Sequence, residues 1–597
     1  MTAPPGPLGA TLNGDGTRFR VWAPSAGRVE VVLADLRATL APEERGYHAG
    51  DVASVGSGTR YHFSLDGAAP LPDPASRHQP DGVHGPSAVL DTSFDWTDGS
   101  WRPPPLRDLV LYELHVGTFT RTATFDAVVP HLAGLRELGV TAVELMPVAA
   151  FPGTRNWGYD GVFPFAVQQS YGGPDGLRRL VDAAHGAGIA VYLDVVYNHL
   201  GPDGSVLARY GPYLTDRYRT PWGGALNFDG PGSDEVRAFF IASAVMFVRD
   251  FHVDGLRVDA VHAIADRSAR PFLAELVATV RAAAPYAVMI AESDLNDPRV
   301  IRPAELGGLG FDAQWTNDLH HALHVALTAE RDGYYADFAG APDLATAESS
   351  GFVYAGRYSR FRRRSHGAPA DDRPPEQLVV AAQDHDQVGN RAHGERLTAL
   401  VAPPALRLAA AATLLSPYTP LLFMGEEYAE TAPFLYFTDH ADPGLATSVR
   451  EGRRAEFAAF AWLAAPPDPQ DPETFRRSTL DHDRAPRPHQ AAMRAFYREC
   501  LRLRKVLYGT ERRRPRAVAI GTTVITVEAQ GRHCLLLATG AQSTSVAVPG
   551  GPWHVALDAD DPQWDGRGPT LREAVIPAGA LLELRGHSAL LLVREDR

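Results

Sequence analysis

The sequence predicts a (β/α)8 TIM barrel flanked by an N-terminal β-sandwich and a C-terminal β-sandwich. Strand-like and helix-like apolar patterns alternate through the middle of the chain, which is typical of parallel β/α architecture. Short strands of period two fill roughly the first and the last hundred residues. Four apolar runs in the middle end in acidic or histidine side chains, and a TIM barrel places its active site at such strand ends.

Composition and charge argue against several classes of protein. The 597 residues are 45% hydrophobic, enough to bury a large core in more than one domain. The net charge of −14 and the lack of basic runs argue against nucleic-acid binding. Cys500 and Cys534 form neither a disulfide framework nor a metal-ligand cluster. Without a secretory leader or a run of about 18 apolar residues, we expect a soluble, cytoplasmic protein that does not enter membranes.

Residues 1–97 are predicted to form the N-terminal sandwich. Apolar and polar residues alternate with period two at 18–22, 28–33 and 61–65, and Gly, Pro and Asp separate these runs, which predicts short strands. We find no set of candidate catalytic residues among them. The proline-rich stretch 101–105 is interpreted as a hinge into the next domain, because proline restricts both helix and strand.

Residues 98–500 are predicted to form the barrel. Helical spacing at 125–138, ended by Gly139, and at 177–187 indicates helices between the strands. Eight strand candidates are the number that a closed (β/α)8 barrel needs, and the sixth has the weakest apolar pattern. They cover 109–114, 140–146, 189–194, 255–259, 287–292, 311–315, 378–383 and 419–424. The polar, proline-rich segment 362–377 is typical of a long exposed loop.

Residues 501–597 are predicted to form the second sandwich, as a cap on the barrel. The pattern returns there to short strands of alternating character. The candidates cover 524–527, 534–538, 546–548 and 588–593.

The predicted strand ends carry the candidate catalytic groups. A buried isolated carboxylate is costly, so several of them near one another need partners or a chemical role. Taken singly, each has a structural alternative: Asp194 as a hydrogen-bond acceptor, Asp259 in a buried salt bridge with Arg257, and His262 as a supporting residue. The full set is Asp194, His199, Arg257, Asp259, His262, Glu292, His385 and Asp386.

Glycoside hydrolysis with retention needs such a set, because it uses two carboxyl groups about 5 Å apart. Asp259 suits the nucleophile, since the arginine two residues before it favours the ionised form. Glu292 on the next strand suits the general acid and base. Asp386 suits a group that binds sugar hydroxyls and stabilises a positive transition state. His199 and His385 are expected to be neutral hydrogen-bond donors to the sugar.

The segments 194–199, 255–262, 291–294 and 385–386 resemble the common regions of the α-amylase family of glycoside hydrolases, family 13. The resemblance implies Asp259 as nucleophile, Glu292 as general acid and base, and Asp386 as transition-state stabiliser. It implies sugar contacts for Arg257, His199 and His385, and a structural role in the site for Asp194. One residue departs from the family: Asp384 stands where Asn is usual, and its added charge is unassigned.

Longer segments resemble the maltooligosyltrehalose trehalohydrolases within that family. They cover 112–120, 144–160, 220–223, 227–230, 314–321 and 383–391. The resemblance implies that maltooligosyl trehalose is cut at the α-1,4 bond beside its terminal trehalose, without cofactor or metal, releasing trehalose and a maltooligosaccharide. It also implies that the N-terminal sandwich is the carbohydrate-binding-module-like domain of branching and debranching enzymes.

Further residues are candidates for sugar binding, and Tyr159, in a polar loop after the second strand, is the preferred stacking platform. The polar candidates are Arg155, Asn317, Asp318, His320, Asp384, Gln387 and Asn390. The aromatic candidates are Trp157, Tyr159, Trp222, Trp315, Tyr418 and Phe423, each of which has core packing as its alternative.

Other functions stay open at this point. A branching or debranching enzyme of the same family would share the catalytic machinery. A non-catalytic glucan-binding relative would lack a catalytic carboxylate, and all three are present. A metal-dependent hydrolase would place His-x-His on the first strand, where this chain has Glu113 and His115. Calcium binding through Asn198, as in some amylases, is a further alternative.

Overall fold

The computed structural model describes residues 6–220, 223–456, 466–484, 486–509, 512–529, 531–571 and 575–594. Trp222, one of the aromatic candidates for sugar binding, lies outside these ranges. In chain order, the described residues form a pair of antiparallel sheets, a closed parallel barrel and a second region of antiparallel sheets. This is the architecture that the sequence predicts.

Eight parallel strands close the central barrel. They are β1 Leu111–Leu114, β2 Ala142–Leu145, β3 Ala190–Val195, β4 Gly255–Val258, β5 Val288–Ala291, β6 Ala313–Trp315, β7 Leu378–Ala381 and β8 Thr419–Phe423. Each strand pairs with the next in the chain, and β8 pairs with β1. The strand with the weakest sequence pattern, β6, has three residues. Strands that are neighbours in the chain therefore bring their carboxyl ends together.

An apolar layer fills the barrel below those ends. Its members include Leu111, Ala142, Tyr192, Ile290, Trp315, Val379 and Leu421, all buried. Gly255 makes room for this layer at the start of β4. A Cβ atom there would lie 2.5 Å from the ring of Tyr192 and 2.3 Å from the carbonyl oxygen of Val288. The packed floor leaves the strand ends as the place where polar groups gather.

Helices surround the barrel, and one predicted helix is divided. Residues 125–138 form helix Phe125–Val128, the 3-10 turn Val129–His131 and helix Leu132–Leu138, because Pro130 has no N–H to continue the helix. The longer described helices are Gly173–Gly186, Ser233–Asp250, Phe272–Ala283, Asp318–Thr328, Ala341–Ser350, Pro403–Leu414, Pro443–Glu456 and Pro488–Tyr508. Among the described residues, none of the helices is both long and apolar enough to cross a membrane.

Short helices and hairpins occupy the connections. The short helices are Val116–Phe119, Leu207–Tyr210, His385–Gly389, Leu397–Leu400 and Pro472–Arg477. The strands Ala149–Ala150 and Phe163–Val167 pair, as do Leu214–Thr220 and Gly223–Leu226. The prediction of an exposed loop at 362–377 is wrong in part, because Arg364–His366 pairs with Arg357–Ser359. His366 is buried there, and its Nε2 donates to the carbonyl oxygen of Asp294 at 2.8 Å.

Two four-stranded sheets form the predicted N-terminal sandwich. One contains Gly9–Asn13, Gly16–Trp22, Ala41–Pro42 and Tyr47–Ala53; the other contains Val29–Val32, Arg37–Thr39, Arg60–Leu65 and Ser87–Ala88. Five of the seven Trp, Tyr and Phe side chains between residues 6 and 97 are buried, and Phe94 and Trp96 are partly exposed. The predicted hinge is anchored, since the Trp101 indole donates to Asp254 Oδ1 at 2.7 Å and stacks on His185.

A six-stranded and a two-stranded sheet form the C-terminal region. The strands are Arg516–Ile520, Val524–Ala529, His533–Ala538, Thr544–Ala547, Trp553–Asp558, Val575–Ile576, Leu581–Leu584 and Ser588–Val593. Helix Pro488–Tyr508 crosses the predicted boundary at 500/501, so we propose a boundary after Tyr508. Arg407 links the two regions by donating to the Ala559 carbonyl oxygen at 2.6 Å.

Candidate active site

The carboxyl ends of β4 and β5 place two acidic side chains next to each other. Asp259 directly follows β4, and Glu292 directly follows β5. Val258 and Ala291 are register partners, and the Glu292 N–H donates to the Val258 carbonyl oxygen at 3.0 Å. Neighbouring strands lie about 4.8 Å apart. The two side chains therefore start from neighbouring strands side by side, an arrangement that suits the acid pair of a retaining glycosidase.

Arg257 in β4 links these acids to a third. Its Nη1 donates to Asp259 Oδ1 at 2.7 Å and to Asp194 Oδ2 at 2.8 Å. Its Nη2 lies 3.9 Å from Glu292 Oε2. Burial lowers the pKa of Arg257, but the surrounding acids raise it well above its ordinary value. The guanidinium is a fixed cation that orients Asp259 by a charge-assisted hydrogen bond.

Asp194, at the end of β3, is saturated by protein donors. It accepts from Arg257 at both oxygens, at 2.9 and 2.8 Å, and from the Tyr159 hydroxyl at 2.6 Å. Burial raises the pKa of Asp194 to about 7, against the effect of Arg257. Its side chain is 4% exposed. This environment favours a structural hydrogen-bond acceptor over a direct sugar contact.

Asn198, in the loop after β3, orients the second oxygen of Asp259. Its Nδ2 donates to Asp259 Oδ2 at 2.7 Å and to the Asp259 carbonyl oxygen at 3.0 Å. Its Oδ1 contacts Nδ1 of His199, whose Nε2 donates to the Tyr159 carbonyl oxygen at 3.0 Å. Burial lowers the pKa of His199. Both polar atoms of Asn198 are engaged by protein, which does not fit a calcium ligand.

Glu292 has the environment of a proton donor. Its side chain is 15% exposed, and its Oε2 accepts from the Ala260 N–H at 2.6 Å. Burial raises the pKa of Glu292, Arg257 opposes this, and the negative charge of Asp259 adds to it. A carboxyl group of raised pKa beside an oriented carboxylate matches the acid and nucleophile of a retaining glycosidase.

Asp386 and His385 start the helix His385–Gly389 after β7. The Asp386 side chain is 48% exposed, and its Oδ1 lies 3.5 Å from His385 Nε2. The His385 ring stacks on the Tyr159 ring at 5.3 Å between centroids, and Nε2 donates to the Tyr159 hydroxyl oxygen at 2.8 Å. Burial lowers the pKa of His385, but Glu113 and Asp386 raise it to about 10. The prediction of a neutral His385 is therefore wrong.

Asp384 is the N-cap of that helix. Its side chain accepts from the Gln387 N–H at 2.9 Å. Burial, followed by the charge of Glu113, raises the pKa of Asp384 to about 7. Asn and Asp cap helices equally well, so the departure from the family pattern keeps the local backbone.

Family models match two regions of the chain. Residues 89–218 match the alpha amylase catalytic domain, and residues 7–74 match carbohydrate-binding module 48, the isoamylase N-terminal domain. Curated relatives that carry the name malto-oligosyltrehalose trehalohydrolase are similar over most of the chain. The Saccharolobus solfataricus protein is 45% identical over 526 residues, 88% of this chain and 91% of its own length. The Arthrobacter ramosus protein is 48% identical over 501 residues, 82% of this chain and 87% of its own length.

The chain belongs to the malto-oligosyltrehalose trehalohydrolase family. Its members fall within the α-amylases, and the chain is a glycoside hydrolase. A crystal structure of a Salmonella typhimurium protein assigned to the α-amylases has the same architecture. The two superpose with a TM-score of 0.89 at 37% identity, over 98% of this chain and 99% of the other.

Two residues expected to bind sugar in this trehalohydrolase-family site are engaged by protein instead. Trp157 is 4% exposed, stacks on Phe434 at 5.1 Å and donates to the Leu435 carbonyl oxygen at 2.8 Å. Asp318 is 3% exposed, and its Oδ2 accepts from the Asn296 side chain at 2.8 Å and the Val353 N–H at 2.6 Å. Trp157 therefore supports the site from below, and Asp318 fixes loops beside it.

Most of the other candidates for sugar binding are also buried or paired with protein groups. His320 is buried between the Ala382 carbonyl oxygen and the Tyr335 hydroxyl, at 2.6 and 3.0 Å, and burial lowers its pKa to about 3. Arg155 is paired with Asp439 at 2.6 Å. Trp315, Tyr418 and Phe423 are buried core residues. Of the polar candidates, Gln387 is buried next to Asp386 in the chain, Asn317 and Asn390 are partly buried, and His262 is exposed.

Sequence reasoning missed Glu113 and Glu144 as parts of this trehalohydrolase-family site. Both lie inside the barrel, on β1 and β2, and are 2% and 1% exposed. Glu113 was weighed only as part of a metal site. Each is an acidic residue within an otherwise apolar strand, and this pattern could have indicated a role in the site. In the described residues there is no group of three or more His, Cys, Asp or Glu arranged to hold a metal.

Proposed function

We propose that the chain hydrolyses, with retention, the α-1,4 bond beside the terminal trehalose of maltooligosyl trehalose. The observation that carries the chemistry is the in-register pair Asp259 and Glu292, bridged by the Arg257 guanidinium. The name shared by relatives 45–48% identical over most of the chain supports the choice of bond.

The proposed reaction has two steps. Glu292 gives its proton to the glycosidic oxygen of the leaving trehalose while Asp259 attacks the anomeric carbon, forming a covalent glycosyl-enzyme. Glu292, now a carboxylate, then removes a proton from water, which attacks the same carbon and releases a maltooligosaccharide. Asp386, half exposed beside the other two acids, stabilises the positive charge of both transition states.

Product analysis tests the proposal. The protein is incubated with maltotriosyl-trehalose and, separately, with maltopentaose, and the products are identified by chromatography. We expect trehalose and maltotriose from the first substrate and much slower attack on the second. Equal cleavage of both would indicate a general α-1,4-glucanase, and a new α-1,6 bond would indicate a branching enzyme.

The stereochemistry is a second, independent measurement. Proton NMR of the fresh reaction should show α-maltotriose before mutarotation, because two displacements at one carbon restore its configuration. A β-anomer as first product would require water to attack directly and would remove Asp259 as nucleophile. No product at all would favour the non-catalytic glucan-binding alternative.

A further inference from the structure

We propose that Glu113 is a positioning residue that fixes His385 in one orientation, with protons on both ring nitrogens, beside Asp386. The inference rests on the proposed function, because its value for catalysis depends on Asp386 and Tyr159 binding the sugar that is cleaved. It concerns a residue on β1, far in sequence from the strand ends that carry the three catalytic acids.

Glu113 holds His385 at two points. Its Oε1 lies 2.5 Å from His385 Nδ1, and its Oε2 accepts from the His385 backbone N–H at 2.9 Å. The carboxyl group is buried, at 2% exposure, as is the His385 ring, at 1%. The same carboxylate therefore fixes both the backbone and the ring of His385, which leaves little freedom for either.

The partners on the other side of the ring determine its protons. Tyr159 donates its hydroxyl proton to Asp194 at 2.6 Å, so its oxygen accepts at 2.8 Å from His385 Nε2. Nδ1 donates to Glu113, since a carboxylate only accepts. Both ring nitrogens carry hydrogen in this arrangement, and His385 is an imidazolium.

The charges that face His385 agree with this assignment. Burial lowers its pKa, and Glu113, Asp386 and Asp384 raise it to about 10, Glu113 having the largest effect of the three. Glu144 on β2 also interacts with His385, and burial raises its pKa well above the ordinary value, which disfavours its charged form. The remaining titratable neighbours are His115, which directly follows β1 and whose pKa burial lowers to about 4, and Tyr159 with its partner Asp194.

Two consequences for the reaction follow from this arrangement. The imidazolium places a positive charge 3.5 Å from Asp386 Oδ1, which orients that side chain for a cationic transition state. It also holds the Tyr159 ring nearly parallel to the imidazole, at 21°, so that the ring presents a fixed face to the sugar. Without Glu113, His385 would lose its second proton at a lower pH, so both effects would then depend on pH.

The test uses Glu113→Gln and Glu113→Asp in the full chain, with Glu137→Gln as matched control. Glu137 is an exposed glutamate whose only role in the described residues is a surface ion pair with Arg498. The state of His385 is read by NMR of ¹³C-labelled histidine, and its signal is assigned by its loss in His385→Asn. This readout is independent of any substrate, so it separates failure of this inference from failure of the proposed function.

In the parent, the His385 signal should stay in its protonated position up to about pH 9, and Glu113→Gln should bring its titration to lower pH. The kcat of Glu113→Gln should approach the parent at about pH 5 and fall at least tenfold below it at about pH 8. Glu113→Asp should restore part of the loss, and Glu137→Gln should match the parent throughout.

Three outcomes would overturn the inference. One is a parent His385 that titrates below about pH 8. Another is a Glu113→Gln protein with an unchanged His385 titration. The third is a kcat loss of equal size at every pH, which would indicate a purely structural role. If Glu113→Gln does not fold, the titration of His385 in the parent and in Glu113→Asp tests the inference instead.

Discussion

Replacing Glu348 by Gln should stabilise the protein at neutral and alkaline pH. Glu348 lies in helix Ala341–Ser350, which packs against strands Arg516–Ile520 and Val524–Ala529 of the C-terminal region. Its side chain is fully buried, and neither carboxyl oxygen has a hydrogen-bond partner within the described residues. Burial raises the pKa of Glu348 from 4.5 to about 8. The folded protein therefore keeps a proton that the unfolded chain releases at neutral pH.

Proton linkage gives the size of the effect. Because the folded-state pKa of this acid is raised, stability is lost as pH rises from 4.5 to about 8 and is constant above that. At about 1.4 kcal/mol per pH unit, burying Glu348 costs about 3 kcal/mol at pH 7 and about 5 kcal/mol above pH 8. With an unfolding entropy of about 2.1 cal/mol/K per residue, this corresponds to about 2–4 °C in Tm for one cooperative unit of this length.

Calorimetry of the parent and Glu348→Gln at about pH 5 and about pH 8 measures this cost. Gln has the shape of Glu and stays neutral, so the two Tm values should be close at the lower pH and differ by about 2–4 °C at the higher. Glu305→Gln, at an exposed position, is the control and should show no such divergence. A Tm difference of equal size at both pH values would show that ionisation of Glu348 is not the cause.

Three further predictions concern the active site. Asp259→Asn should lower kcat by at least about 10³-fold with Tm nearly unchanged, since the amide is no nucleophile, and activity within about tenfold of the parent would exclude that role. Glu292→Gln should lose hydrolysis of natural glycosides but still react with a glycosyl fluoride, whose leaving group needs no proton; equal loss on both would count against the acid role. Asp384→Asn should keep kcat within about threefold, because Asn preserves the helix cap, and a loss above about tenfold would instead assign Asp384 to sugar binding.

Much of the fold could be predicted because its signals are local. The barrel strands are short apolar runs, and several of their carboxyl ends are marked by a charged residue such as Asp259 or Glu292. The division of the helix at Pro130 was also visible locally, but the apolar spacing on both sides outweighed it. The strand Arg364–His366 was missed because its pairing and the burial of His366 depend on partners elsewhere in the fold.

The candidate site was predictable in its acids and less so in the groups around them. The charge of His385 depends on Glu113, which is 272 positions away in the chain, so no pattern around His385 contains it. Asp318 lies in a segment typical of the family, yet its Oδ2 accepts from the Val353 and Tyr354 amides, which only the folded chain brings near. Residue type and order indicated the chemistry, and tertiary contacts decided which side chains remain available to a sugar.

The inward-facing rings of the N-terminal sandwich bear on how the enzyme encounters its substrate. Sugars adhere to proteins largely by stacking their C–H faces on exposed aromatic rings. Five of the seven rings between residues 6 and 97 are buried, and of the two partly exposed ones, Phe94 and Trp96, Trp96 already stacks on His252 at 3.9 Å. We therefore expect this domain to hold a long glucan only weakly, so that capture of the substrate depends mainly on diffusion to the strand ends of the barrel. Turnover should then follow the concentration of dissolved chain ends, and adding glycogen should not draw the enzyme out of solution.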